Sequence, residues 1–128
     1  MVRQGMTEDE LKDRLKKFAL RIITLVDNMP QRISSIAIAK QIIRSGTSSS
    51  ANYRAACLAK SDNDFIYKLK VVAEELDETS HWLDLIIESG IMPDYRVKPL
   101  YEESIELLRI ITGSIRTTQA RIESMSLI

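Results

Sequence analysis

Apolar residues recur along most of this chain at spacings of three and four, which predicts helices and no strands. The first segment opens at Thr7, followed by Glu8, Asp9 and Glu10. Thr7 with Glu10 forms a capping-box pattern, and acids in a first turn complement the helix dipole. Leu11, Leu15, Phe18, Ile22, Leu25 and Met29 then make one apolar seam, which ends at Asn28-Met29-Pro30. The spacing predicts a helix over 8–28.

A second helix is expected over 32–60, with Ile33, Ile36, Ala39 and Ile43 as its seam. It runs into RSGTSSSAN at 44–52, which admits two readings. Glycine and clustered serines favour a turn. Alternatively the stretch stays helical and its small side chains, spaced four apart, let a neighbouring helix come close. The helical pattern resuming in YRAACLAK favours one long helix.

Ser61 before Asp62, Asn63 and Asp64 is an N-cap with an acidic first turn, and it starts a third helix expected over 62–89. Its seam is Phe65, Leu69, Val72, Leu76, Thr79, Leu83 and Ile86, and Gly90 is placed to stop it. A fourth helix, expected over 96–124 with its start between Asp94 and Pro99, carries Ser104, Leu108, Ile111, Ile115, Thr118 and Ile122. Residues 1–6 and 125–128 are expected to be flexible. Four seams with short connections predict a single all-α domain, an antiparallel up-down-up-down four-helix bundle.

Helix three also has a second apolar line at Ile66, Ala73, Ser80 and Ile87, and helix four adds Ile105, Leu107 and Ile110. One core stripe per helix would not use these, so the sequence predicts self-association through wide faces on helices three and four.

Charge is unevenly placed within a net charge of 0. Residues 29–61 hold Arg32, Lys40, Arg44, Arg54 and Lys60 and no acid, whereas residues 62–90 are dominated by acids. In a hairpin turning near Lys60-Ser61, Arg44 comes level with Asp77 or Glu78, and Thr47 and Ser48 with Glu74. Two readings follow: plain complementarity on a solvated face, or a partly buried Arg44–carboxylate network whose disruption costs about 3–5 kcal/mol.

Candidate chemistry is sparse. His81 is the only histidine, so a Glu-x-x-His di-iron site cannot be built. Cys57 is the only cysteine, which rules out an internal disulfide and suits a reducing cytoplasm. GTSSSAN lacks the second glycine and the lysine of a phosphate-cradling loop. RSGTS lacks the frame of a nucleophile elbow. Trp82 either fills the core or covers a partner. The residues predict no enzyme, no metal and no cofactor, and nothing apolar enough to span a membrane.

At 44–86, RSGTSSSANYRAACLAKSDNDFIYKLKVVAEELDETSHWLDLI, the chain resembles the four-helix bundle proteins of the 23S rRNA intervening-sequence family. Those proteins share an RSGTS…AN stretch followed by a K…EE..E…WL.LI helix. The matching positions are Arg44, Ser45, Gly46, Ser48, Asn52, Arg54, Glu74, Glu78, Trp82 and Leu83, and Leu58 stands where relatives commonly carry arginine. The resemblance implies that the small-residue stretch is helical and that the chain forms a ring-like homo-oligomer, best taken as a pentamer. The acid-free, basic second helix, together with the location of some of this family's genes inside ribosomal RNA insertions, points to a non-enzymatic interaction or scaffold role, with RNA or a ribonucleoprotein as a weakly held partner and Arg32, Lys40, Arg54 and Lys60 as candidate phosphate contacts. The similar accessory bundles of diversity-generating retroelements engage a reverse transcriptase, which implies the alternative of a protein-binding adaptor.

Overall fold

The computed structural model describes residues 6–127. It is a single all-α domain of four helices: α1 (Glu8–Asp27), α2 (Ile33–Ala56), α3 (Asp62–Ser89) and α4 (Asp94–Ser126). The caps act as the sequence predicts. The Glu10 amide donates to Thr7 Oγ1 at 3.1 Å and the Thr7 amide to Glu10 Oε1 at 3.4 Å. The Asp64 amide donates to Ser61 Oγ at 3.1 Å, and Gly90 closes α3 with a left-handed φ of 73°. Helix α2 ends four residues earlier than expected, at Ala56, leaving 57–61 as a short connector. Helix α4 begins at Asp94 with Pro99 inside it, and Met125 and Ser126 still belong to it. Met6 packs against the core. Residues 1–5 and 128, part of the termini expected to be flexible, lie outside the described residues.

Neighbouring helices pack in chain order. Helix α2 lies along α3, α3 along α4 and α1 along α2, while α1 touches α4 only lightly. Pairings across α3 and α4 run in opposing numerical order: Arg121 reaches Asp62 at 2.7 Å, and Ser80 meets Ser104 at 2.8 Å. The α1 and α3 seams are buried as expected, apart from a half-buried Phe65.

Helix α2 faces the core differently from its predicted seam. Its buried face is Ser35, Ile42, Ser45, Gly46, Ser49, Tyr53 and Ala56. Ile33 is 91% exposed and Ile36 41%. The cause is steric. A Cβ added at Gly46 would stand 2.9 Å from Ile22 Cγ1 and 3.0 Å from Ile22 Cγ2, so only the smallest side chain fits between α1 and α2. On the α3 side Ser45 Oγ lies 2.8 Å from Thr79 Oγ1. The small residues therefore point inward together with Ile42, while Ile33 and Ile36 turn out and Ala39 and Ile43 stay half-buried. The stretch 44–52 is helical, and its glycine admits α1, while its serine meets α3.

A second correction concerns α3 and α4. Ile66, Ser80, Leu107 and Ile110 are buried inside the bundle, because the core takes more than one stripe from each of these helices. Ala73, Ile87 and Ile105, the rest of that set, are half-buried. The large exposed apolar residues of α1 and α2 are Leu20, Ile23, Ile33 and Ile36.

Two variants test this packing. Gly46→Ala gains helix propensity of up to about 1 kcal/mol but overpacks Ile22 at a cost of roughly 1–3 kcal/mol, for a net loss. Adding Ile22→Ala creates a cavity but removes the clash, so the double variant loses less than the sum of the singles in urea titrations. Additive losses would show that the approach is not tight. Separately, Tyr53 is fully buried with the Cys57 thiol beside it, and its hydroxyl has no hydrogen-bond partner of ordinary geometry. Tyr53→Phe removes an unsatisfied buried group, so a melting temperature at or above the parent's is expected.

Candidate interaction sites on the bundle surface

The inward turn of Ser45 and Gly46 sets Arg44 beside α3. Its Nη1 donates to Glu75 Oε2 at 3.0 Å and its Nη2 to Glu78 Oε2 at 2.5 Å. The same Glu78 oxygen accepts from Trp82 Nε1 at 3.1 Å. The hairpin register correctly places Glu78. It misses Glu75, one turn back, which a long guanidinium side chain reaches as easily. Glu74 is exposed and takes no part in these bonds. The Arg44 side chain is 51% exposed, so this is a solvated stitch between α2 and α3 and not a partly buried network. The large loss expected for breaking a buried pair does not apply.

Of the other residues singled out in the sequence, Asn52 stays within α2, where Nδ2 donates to Ser48 O and Ser48 Oγ at 2.9 and 2.8 Å. Trp82 is half-buried against the core, with its ring 5.2 Å from that of His81. Its bond to Glu78 and the guanidinium of Arg44 hold the Glu78 carboxyl below the usual carboxylate range.

Arg54 points the other way round α2. It lines a groove between α1 and α2 of about 510 Å³ with Ser50, Lys12, Lys16, Asp9 and Asp13. Lys12 lies 3.8 Å from Asp9, while Lys16 and Arg54 have no carboxylate partner among the described residues. Sequence reasoning missed Lys12 and Lys16. Their i, i+4 spacing puts both on one helix face, but nothing in the chain order says that this face meets Arg54. Arg32, Lys40 and Lys60 are exposed and are not among the residues lining that groove. On the opposite side of the bundle, Asp77, Ser80, His81 and Asp84 of α3 and Tyr101 and Ile105 of α4 line a shallow recess of about 330 Å³.

No group of three or more His, Cys, Asp or Glu side chains among the described residues is arranged to hold a metal ion. No helix among them is long and apolar enough to cross a membrane.

The sequence model of the 23S rRNA-intervening sequence protein family matches residues 8–113, from the first residue of α1 into α4. The chain belongs to this family. A crystal structure from Bacteroides thetaiotaomicron, of a protein with unknown function from the S23 ribosomal protein family, is similar at 33% identity with a TM-score of 0.80. The likeness covers 87% of this chain and 99% of that one. No curated protein matches the chain. The matched range includes the residues of the Arg44 stitch and of the α1–α2 groove.

Two measurements check the stitch. Arg44→Ala lowers stability by about 1 kcal/mol or less, the range of exposed ion pairs. A loss of several kcal/mol would mean the pair is buried after all. Glu78, with its folded pKa depressed, contributes stability present above its free value of about 4.3, which is lost as pH falls through the lower folded value. Fluorescence of Trp82, the only tryptophan, reports this as a transition below that value, and Arg44→Ala moves it upward.

Proposed function

We propose that this chain is a non-enzymatic, self-associating scaffold, an antiparallel up-down-up-down bundle that holds RNA or a ribonucleoprotein weakly. The observation that carries the RNA part is the α1–α2 groove. Arg54 and Lys16 stand there without carboxylate partners among the described residues, Lys12 is only loosely engaged, and Ser50 adds a hydroxyl. Spaced cations at a groove bind a phosphate backbone without reading bases. Asp9 and Asp13 on the same rim temper the attraction, which makes the binding weak. Arg32, Lys40 and Lys60 are further contacts available to a long or folded RNA. A ring-like homo-oligomer, a pentamer in the form the family resemblance implies, would repeat this groove around an axis and raise affinity through avidity. The exposed Leu20, Ile33 and Ile36 support self-association. A cytoplasmic setting belongs to the same reading and suits the free thiol of Cys57.

An adaptor for an enzyme encoded nearby, such as a reverse transcriptase, is the second reading. The same exposed aliphatic residues favour it, and it needs no nucleic acid.

Titration of a labelled, structured RNA by fluorescence anisotropy separates the two. With about three phosphate contacts, affinity falls roughly 40-fold between 50 and 200 mM salt. Arg54→Ala weakens binding and lowers the salt slope by about one unit. Salt-independent binding, or none at low salt, rejects the RNA reading and leaves the adaptor.

A further inference from the structure

The charges of this chain are sorted along its length. Residues 1–60 hold 11 Lys and Arg against 5 Asp and Glu, and residues 61–128 hold 7 against 13. Where α1 meets α4, opposite charges should therefore pair, and at one level they do: Arg14 Nε and Nη2 each donate to the Glu103 carboxylate at 2.8 Å. About two helical turns away along both helices the pattern breaks. There Arg21 of α1 and Arg96 of α4 line one groove, and no Asp or Glu lines it with them. Neither guanidinium has a carboxylate partner among the described residues.

The groove exists because α1 and α4 touch only lightly. It holds about 320 Å³. Leu25, Met92 and Leu100, nearly buried, make its floor, and Leu20 stands at its edge with 53% of its surface exposed. The two polar side chains of the α1 wall are turned back onto their own helix. Thr24 Oγ1 donates to Leu20 O at 3.2 Å, and Asn28 Nδ2 to Thr24 O at 2.7 Å. What remains for a visitor is an aliphatic floor with one cation on each wall.

We propose that this groove is the docking site for an acidic amphipathic helix of another protein. Its aliphatic side chains lie on the floor and against Leu20, and one of its carboxylates accepts from Arg21 and Arg96 together. Charge decides the sign of the partner, since two unpaired guanidiniums beside one another are each stabilised by a shared anion. The apolar floor decides its character, as in other grooves that receive the apolar face of a helix. A nucleic acid would supply the anion, but no aromatic side chain lines the groove to stack a base. A small amphiphile would be poorly enclosed, because pockets for such ligands bury about 70–90% of their surface and Leu20 stands open at the edge. The site goes beyond the RNA reading, which concerns the separate Lys12–Lys16–Arg54 groove, and it gives a protein partner a defined place.

The test is fluorescence anisotropy on the full chain with a rhodamine-labelled synthetic helix of about 15 residues. Its leucines fall at i, i+3, i+4 and i+7, with glutamates beside them. One control peptide carries glutamine for each glutamate, another alanine for each leucine. The glutamate peptide is expected to bind and both controls to bind more weakly. Arg21→Gln and Arg96→Gln each weaken binding about three- to fivefold, the range of exposed ion pairs. Leu20→Ser weakens it roughly fivefold, since about half of that side chain is left to bury. Arg21→Glu with Arg96→Glu abolishes it. All three positions are exposed, so these variants keep parental helix content and melting temperature by circular dichroism. Arg54→Ala leaves peptide binding unchanged, which separates this site from the RNA groove. Equal binding of the glutamine peptide overturns the proposal, as does an Arg54→Ala loss equal to that of Arg21→Gln, or no binding at hundreds of micromolar. Three further outcomes assign the groove elsewhere and overturn it too. Single-stranded RNA whose binding needs Arg21 and Arg96, without peptide binding, assigns it to nucleic acid. Decanoate that displaces the peptide at equal concentration assigns it to a small amphiphile. An assembled parent that falls in light scattering to the 14.6 kDa of one chain in the double glutamate variant assigns it to a second copy.

Discussion

The packing of this bundle depends on the absence of a side chain at Gly46. Ile22 of α1 fills the space where a Cβ would stand, and Ser45, the next residue round the helix, meets Thr79 of α3. Helix α2 is thus clasped on two sides at one level. Bulk at that level would force α1 or α3 outward and open the core above and below it, where Ile42 and Tyr53 are fully buried. The polar atoms there are accommodated within the helix itself. Ser49 Oγ donates to Gly46 O at 2.7 Å and Thr47 Oγ1 to Ile43 O at 2.6 Å, so burying small hydroxyls leaves few polar groups unsatisfied.

That clasp fixes the rotation of α2 about its axis, and the rotation distributes everything else. With Ser45 and Gly46 inward, Arg44 comes out toward α3 and Arg54 toward α1, where they serve different ends. Arg44 finds Glu75 and Glu78 and is spent within the molecule. Arg54 finds no carboxylate partner among the described residues and, with Lys16, leaves positive potential in a groove. The same rotation expels Ile33 and Ile36, which would have been core residues in a helix turned by about a quarter of a revolution.

Helices α1 and α3 were legible because caps and apolar seams agreed: Thr7 with Glu10 and Ser61 with Asp64 fixed the starts, and Leu11 to Leu25 and Leu69 to Ile86 fixed the faces. Helix α2 was legible as a helix but not in its facing. A seam of isoleucines is the stronger hydrophobic signal, yet close approach selects for the least volume, and the two criteria point to different faces of the same segment. The wide faces of α3 and α4 were misassigned for a related reason. Each of these helices packs against a neighbour over most of its length, so a second apolar stripe is core and not surplus. At the candidate sites, levels along a hairpin came through and angular positions did not. Glu78 was found by register, whereas Glu75, Lys12 and Lys16 needed the rotation that only packing supplies.

A formal charge of 0 is weak evidence against binding to a charged partner when the charges are sorted. Screening in physiological salt acts over about 8 Å, less than the width of a helix pair, so a partner at one face feels that face and not the molecular sum. For this chain the neutral total joins a basic α1–α2 side to an acidic α3–α4 side. Such sorting carries a cost within the monomer, since like charges are gathered together, and among the described residues only Arg44 and Arg14 offset it by reaching across to carboxylates of the acidic half at 2.5 to 3.0 Å, joined at one end by Arg121 and Asp62 within that half. The remaining imbalance is outward-facing, which makes the surface, and not the interior, the place where this bundle's chemistry lies.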